Sequence, residues 1–102
     1  MITLEQYKVI YENCHVRMTK VRNQASVLKD GRFWFGATSF RLDIDKFMKT
    51  IESVYNAYTT APSFKNKDFT QYVQKLENDV KGYEKYLIKV REISEANKKN
   101  GY

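Results

Sequence analysis

Apolar or small residues recur at alternating intervals of three and four positions from Thr3 to Leu28, and no other pattern in the chain is as regular. Such a stripe is typical of one face of an amphipathic helix that packs against other helices. Thr3 and Gln6 form a capping-box pattern at its start, and Gly31 can close its end in the left-handed conformation. We therefore predict a helix over residues 3–28. Its stripe consists of Leu4, Tyr7, Tyr11, Cys14, Met18, Val21, Ala25 and Leu28.

A second stretch with helical spacing follows in the middle of the chain. Either Ser39 or Asp43 can act as its N-cap, and Pro62 ends it because the residue before a proline resists helix formation. We therefore predict a second helix from Ser39 or Asp43 to about Thr59. Its apolar set is Phe40, Ile44, Phe47, Met48, Ile51, Val54, Tyr55 and Tyr58.

A third stretch predicts a helix from about Lys67 to about Asn97. Gly82 lies in its middle, where a glycine costs about 1 kcal/mol against alanine, so a bend or a break is allowed there. The apolar set is Phe69, Tyr72, Val73, Leu76, Val80, Tyr83, Leu87, Val90 and Ile93. The polar residues 98–102 predict a frayed tail.

These three stripes predict an all-α fold, a three-helix bundle with up-down-up order whose first and third helices are longer than its second. The chain has 102 residues, which fits one domain over residues 1–102. One proline and four glycines are too few for the turns of an all-β fold.

The segment from Gly31 to Arg41 breaks the helical pattern. Its three consecutive aromatic residues, Phe33 to Phe35, cannot all face one core, and two glycines flank them. We predict an irregular loop over the end of the bundle. A short hairpin with strands near 32–35 and 39–42 is the alternative.

This loop concentrates residue types that dominate protein interfaces. We therefore predict that it binds a protein partner, with Trp34 either anchoring the contact or plugging the end of the bundle. The predicted contact residues are Arg32, Phe33, Trp34, Phe35 and Arg41.

The net charge of +6 and the pI of 9.4 suit nucleic acid, an acidic protein partner or an anionic surface, and do not choose among them. Lys8, His15, Arg22 and Lys29 recur every seven residues along one edge of the first helix and would steer the approach of that partner. The same groups support an alternative. Nucleic acid or an anionic nucleotide could bind with its phosphates at the basic edge and its bases stacked on the aromatic rings.

Val9 and Val16 are apolar although they lie on the face of the first helix opposite the stripe. They predict a contact with a second copy of the chain, and hence a homodimer, or a groove for another partner. The alternative is a central helix that the bundle itself covers on more than one side.

No motif for catalysis or metal binding is present in the sequence. One cysteine and one histidine cannot form a Cys/His zinc site, and Cys14 and His15 diverge by about 100° on a helix. Walker, dinucleotide-binding and nucleophile-elbow patterns are also missing. We therefore predict a protein that is not an enzyme and that needs no metal and no cofactor.

The single cysteine excludes an intrachain disulfide, and no signal-like apolar stretch follows Met1, so we expect a cytoplasmic protein without a membrane partner. Together these features predict a small non-enzymatic binding or regulatory protein that occupies a surface on a larger, acidic protein. The Lys-, Asn- and Tyr-rich composition is in the style of small virus-encoded modulators, although no residue motif carries that similarity.

Overall fold

The computed structural model describes residues 1–101 and is all-helical over that range. Helix α1 spans Leu4–Ala25, α2 spans Gly36–Thr60 and α3 spans Thr70–Asn100, with a short 3-10 turn at Pro62–Phe64. Helix α2 runs antiparallel to the other two. The predicted up-down-up three-helix bundle is therefore confirmed.

Helix α1 begins as predicted and ends earlier than predicted. The Thr3 hydroxyl accepts the Gln6 N–H, and the Gln6 side chain accepts the Thr3 N–H, so the capping box is present. The helix ends at Ala25 rather than at residue 28, and Gly31 does not close it. Among residues 1–101, positive φ occurs at Gly101 alone, after the end of α3.

Helix α2 begins at Gly36, before either predicted start at Ser39 or Asp43. Its N-terminal turn is stabilised by Asp30, whose carboxylate accepts hydrogen bonds from the N–H and the hydroxyl of Thr38. These bonds hold the pKa of the Asp30 carboxyl below its usual value. Because residues 39–42 are helical, the alternative hairpin with strands near 32–35 and 39–42 is wrong. The predicted order of helix lengths is also wrong, because α2 has 25 residues and α1 has 22.

Helix α3 begins at Thr70 rather than at Lys67 and passes through Gly82 without a break. It continues to Asn100 and so includes residues 98–100 of the predicted frayed tail. Tyr102, the last residue of that predicted tail, lies outside the described residues.

Helices α1 and α3 lie parallel with a constant offset of 67 positions. The Phe69 N–H donates to the Ile2 carbonyl, and the Arg17 guanidinium pairs with the Glu84 carboxylate. Further along, Arg91 donates to the Gln24 side chain at the same offset. The molecule is accordingly a rod of 55 × 19 × 17 Å.

The three predicted stripes form the core. Seven of the eight stripe residues of α1 and its continuation are buried, and Leu4 is partly buried. One end of the core is aromatic, because Tyr7 stacks on Phe69 at 4.8 Å between ring centroids and Tyr11 stacks on Tyr55 at 4.0 Å. Tyr58 and Tyr72 complete this tyrosine cluster.

Candidate functional site

The aromatic loop, residues 31–35, lies at the end of the rod opposite the tyrosine cluster. A hydrogen bond of 2.8 Å from the Gly31 N–H to the Trp34 carbonyl closes it. Phe33 is 81% exposed and Phe35 is 69% exposed, while the Arg32 guanidinium lies 5.3 Å from the centre of the Phe33 ring. Two large apolar rings therefore face solvent at this end of the molecule.

Trp34 has a different environment from its two neighbours. It is partly buried and packs against the core. Its ring lies so close to Gly36 that a Cβ atom added at Gly36 would be 2.3 Å from Trp34 ring atoms. The ring thus covers the start of α2. It also lines a shallow groove of about 240 Å³ together with Arg32, Phe33 and Asn97.

Arg41 makes contacts inside the fold. Its guanidinium donates to the Leu28 carbonyl at 2.6 Å and to the Ala25 carbonyl at 3.2 Å, and it also reaches the Thr38 hydroxyl. Carbonyls at the end of a helix need donors from elsewhere, and Arg41 supplies them for α1. We therefore assign Arg41 a structural role and leave it out of the proposed partner contact.

The segment before the aromatic loop is attached to the end of α3. The Lys29 N–H donates to the Ser94 hydroxyl at 3.2 Å, and that hydroxyl donates to the Lys29 carbonyl at 3.3 Å. Lys98 and Lys99 in the last turn of α3 are exposed. With Arg32 they give this end of the rod a positive surface.

The predicted basic edge is not a continuous line. Lys8 pairs with Glu5 at 3.1 Å, and His15 lines a groove that also contains Glu12 and Glu52. Arg22 is exposed, about 21 Å along α1 from Lys8.

Lys29, the fourth residue of that predicted edge, lies beyond the end of α1. Of the four basic residues, Arg22 and Lys29 are thus the two nearest to the aromatic loop.

Val9 and Val16 are 61% and 66% exposed. The alternative of a helix that the bundle covers on several sides is therefore wrong for this face of α1. Val9 also lines a shallow, largely apolar depression with Ile2 and Ile10.

The apolar stripes did not predict three grooves between helices. One lies between α1 and α2 around His15, a second lies between α2 and α3 around Gly82, and a third lies between α1 and α3 beside Arg17 and Glu84. Stripe patterns report the buried face of each helix and carry no information on gaps between helices. The mid-helix glycine is the one signal that could have indicated the second groove.

Within residues 1–101 no cluster of three or more His, Cys, Asp or Glu side chains could hold a metal ion. Cys14 is buried, and its burial raises the pKa of the thiol. No helix of the described chain combines the length and the apolar character that crossing a membrane requires.

Comparisons of the chain with family models, with curated proteins and with solved structures found no match. A functional assignment consequently has to come from the surface of the molecule.

Proposed function

We propose that this chain is a small, non-enzymatic binding protein that occupies a surface on a larger, acidic protein through its aromatic loop. The observation that carries the proposal is the exposure of Phe33 and Phe35 on a loop whose base is fixed. Exposed aromatic rings cost solvation free energy unless a partner covers them, and such rings with a neighbouring arginine are typical binding hot spots.

The charge around the aromatic loop supports an acidic partner. Lys29 and Arg32 lie beside and in the loop, and Lys98 and Lys99 follow Asn97, which lines a groove with Arg32 and Trp34. These four cations outnumber the carboxylates of Asp30 and Glu95. Complementary charge raises the rate of association and selects against basic partners.

Nucleic acid is the less favoured ligand. A phosphate backbone needs a row of cations, whereas Lys8 is paired with Glu5 and His15 shares its groove with two glutamates. The exposed rings alone could still stack on bases, so the capture experiment is designed to separate the two ligands.

The proposal also includes a cytoplasmic location, the absence of catalysis and the role of a virus-encoded modulator.

The test is a capture experiment with the chain tagged at its amino end, on extract of the native host with and without nuclease. We expect the parent chain to retain an acidic protein in both cases. The double variant with Phe33→Ala and Phe35→Ala should lose capture, because each anchoring ring contributes about 2 kcal/mol or more. The melting temperature should stay within a few degrees of the parent, since both rings are exposed.

The matched control is the double variant Val9→Ala and Val16→Ala, which removes two exposed apolar side chains from a different face. It should retain the partner. Capture that disappears with nuclease would favour the nucleic-acid alternative. Capture that survives the loss of both phenylalanines would contradict the assignment of the aromatic loop.

Self-association through Val9 and Val16 is a separate proposal. A second copy could cover this apolar face in an isologous contact about a two-fold axis. Sedimentation at micromolar concentration should then show about twice the 12.1 kDa mass of the chain. The variant with both Val9→Lys and Val16→Lys should sediment as a monomer. A parent chain that sediments at 12.1 kDa would contradict the proposal.

A further inference from the structure

A groove of about 490 Å³ lies between α2 and α3 and shares no lining residue with the groove at the aromatic loop. Aromatic rings from both helices form its walls. The Phe47 and Tyr83 ring centres are 4.8 Å apart, and the Phe40 ring centre lies 5.2 Å from that of Tyr86. Tyr86 is 52% exposed, so ring surface is accessible from solvent.

Two carboxylates lie in the same groove. Asp43 on α2 and Asp79 on α3 both line it, and neither forms an ion pair with any cation in residues 1–101. Burial raises the pKa of the Tyr83 hydroxyl, and the negative charges of Asp43 and Asp79 raise it further. Both carboxylates therefore act on the same ring, in a protein whose net charge is +6.

Gly82 keeps the groove open. It lies in the middle of a 31-residue helix, where glycine costs about 1 kcal/mol relative to alanine. Its φ is not positive, and a Cβ atom added there would have no heavy atom within 4 Å. Neither backbone conformation nor packing requires this glycine. The property that it does supply is open space on the α3 side of the groove.

The combination of flat rings and unpaired carboxylates matches one type of side chain. A guanidinium group stacks on aromatic faces and donates parallel hydrogen bonds to a carboxylate. A quaternary ammonium group also binds to aromatic faces but has no hydrogen to donate. Lysine donates from a compact, strongly hydrated ammonium that stacks less well on rings.

We propose that this groove binds an arginine side chain presented by a peptide segment of another protein. The guanidinium stacks on the exposed ring surface of Tyr86 in the groove and donates to Asp43 and Asp79. The site is separate from the aromatic loop, so the proposal does not depend on the function proposed for that loop.

The test is a titration of the isotope-labelled chain, followed by amide chemical shifts, with the blocked tripeptide Gly-Arg-Gly. Two matched tripeptides carry citrulline, a neutral isostere of arginine, or lysine in place of the arginine. We expect the arginine peptide to shift the amides of residues 78–86, and to bind about tenfold more tightly than either control. No shift in this region up to tens of millimolar peptide would overturn the proposal, as would equal binding of the citrulline or the lysine peptide.

Two variants locate the site. Gly82→Leu fills the groove and should abolish the shifts, while helix propensity raises the melting temperature, so lost binding cannot be attributed to unfolding. Asp43→Asn with Asp79→Asn should weaken binding about tenfold or more. The control variant, Asp45→Asn with Glu92→Gln, removes two exposed carboxylates outside the groove and should bind as the parent does. Unchanged binding by Gly82→Leu would contradict the proposed site.

Discussion

Gly36 is the residue at which the smallest substitution should have the clearest effect. A Cβ atom there would be 2.3 Å from the Trp34 ring, so Gly36→Ala forces the ring off the start of α2. We expect a loss of about 1–3 kcal/mol in the free energy of unfolding, as for overpacked sites. Fluorescence of Trp34, the single tryptophan, should shift to longer wavelength as its ring becomes exposed.

Gly82→Ala provides the matched control for that substitution. Alanine has open space at Gly82, so the same chemical change should stabilise the protein by about 1 kcal/mol. Equal effects of the two substitutions on stability would contradict the close packing of Trp34 on Gly36.

Arg41 stabilises the end of α1 through side-chain hydrogen bonds to two carbonyls. Arg41→Ala leaves these carbonyls without their donor and should cost about 1.5–3 kcal/mol, measured by urea unfolding. Lys46→Ala, at an exposed position of the same helix, should change stability by less than about 0.5 kcal/mol. Similar values for the two variants would show that Arg41 is not a capping residue.

The contacts of Asp30 and Arg41 could not be predicted from the sequence. Local capping patterns such as that of Thr3 and Gln6 can be recognised, because both partners lie within four residues. Asp30 stabilises a turn that begins after the aromatic loop, and Arg41 reaches back 13 residues to Leu28. Such contacts depend on the path of the loop, which apolar spacing does not specify.

At the scale of a helix, the three-four spacing on α1 correctly separates its buried and exposed faces. Met18 is fully buried, whereas Val16, two residues earlier, is 66% exposed. Met18→Asp should therefore unfold the domain, because an unpaired charge cannot be accommodated in the core. Val16→Asp should change the stability of the monomer by about 0.5 kcal/mol or less, and circular dichroism melts compare the two. A Met18→Asp protein that melts like the parent would contradict the assignment of this face to the core.

The predicted irregular loop over residues 31–41 is correct for residues 31–35, whereas residues 36–41 belong to α2. The sequence left open whether Trp34 anchors a partner or plugs the end of the bundle, and the structure separates a partly buried Trp34 from exposed Phe33 and Phe35. The difference arises because Gly36 has no side chain and so allows the tryptophan ring to lie against the helix. A pattern of residue types cannot show which of three adjacent rings will use that space.

At the scale of the whole molecule, buried tyrosines predict that stability falls in alkaline solution. Burial raises the pKa of Tyr7, Tyr11, Tyr72 and Tyr83 above the ordinary value of 10.0. A raised pKa in the folded state leaves stability intact below about pH 10 and lowers it above, because the unfolded chain ionises first. Each such tyrosine should contribute a loss of about 1.4 kcal/mol per pH unit between its unfolded and folded pKa values.

Urea unfolding at a series of pH values from about 8 to about 11 measures this dependence. Tyr7→Phe keeps the ring and removes a hydroxyl that has no hydrogen-bond partner of normal geometry among residues 1–101. Its stability should decline less steeply above pH 10 than that of the parent. Identical slopes would show that Tyr7 ionises as readily in the folded protein as in the unfolded chain.

The odd number of helices has a mechanical consequence. The Ile2 N–H donates to the Asp68 carboxylate and to the Thr70 hydroxyl at one end of the rod. The end of α3 lies at the opposite end of a molecule that is 55 Å long. Tension applied to residues 2 and 100 pulls α1 and α3 in opposite directions along their shared interface. The interface is then sheared along its whole length at once, which resists force better than a geometry in which helices peel apart from one end. The bundle is thus suited to bear tension along its length, with the aromatic loop near one point of attachment.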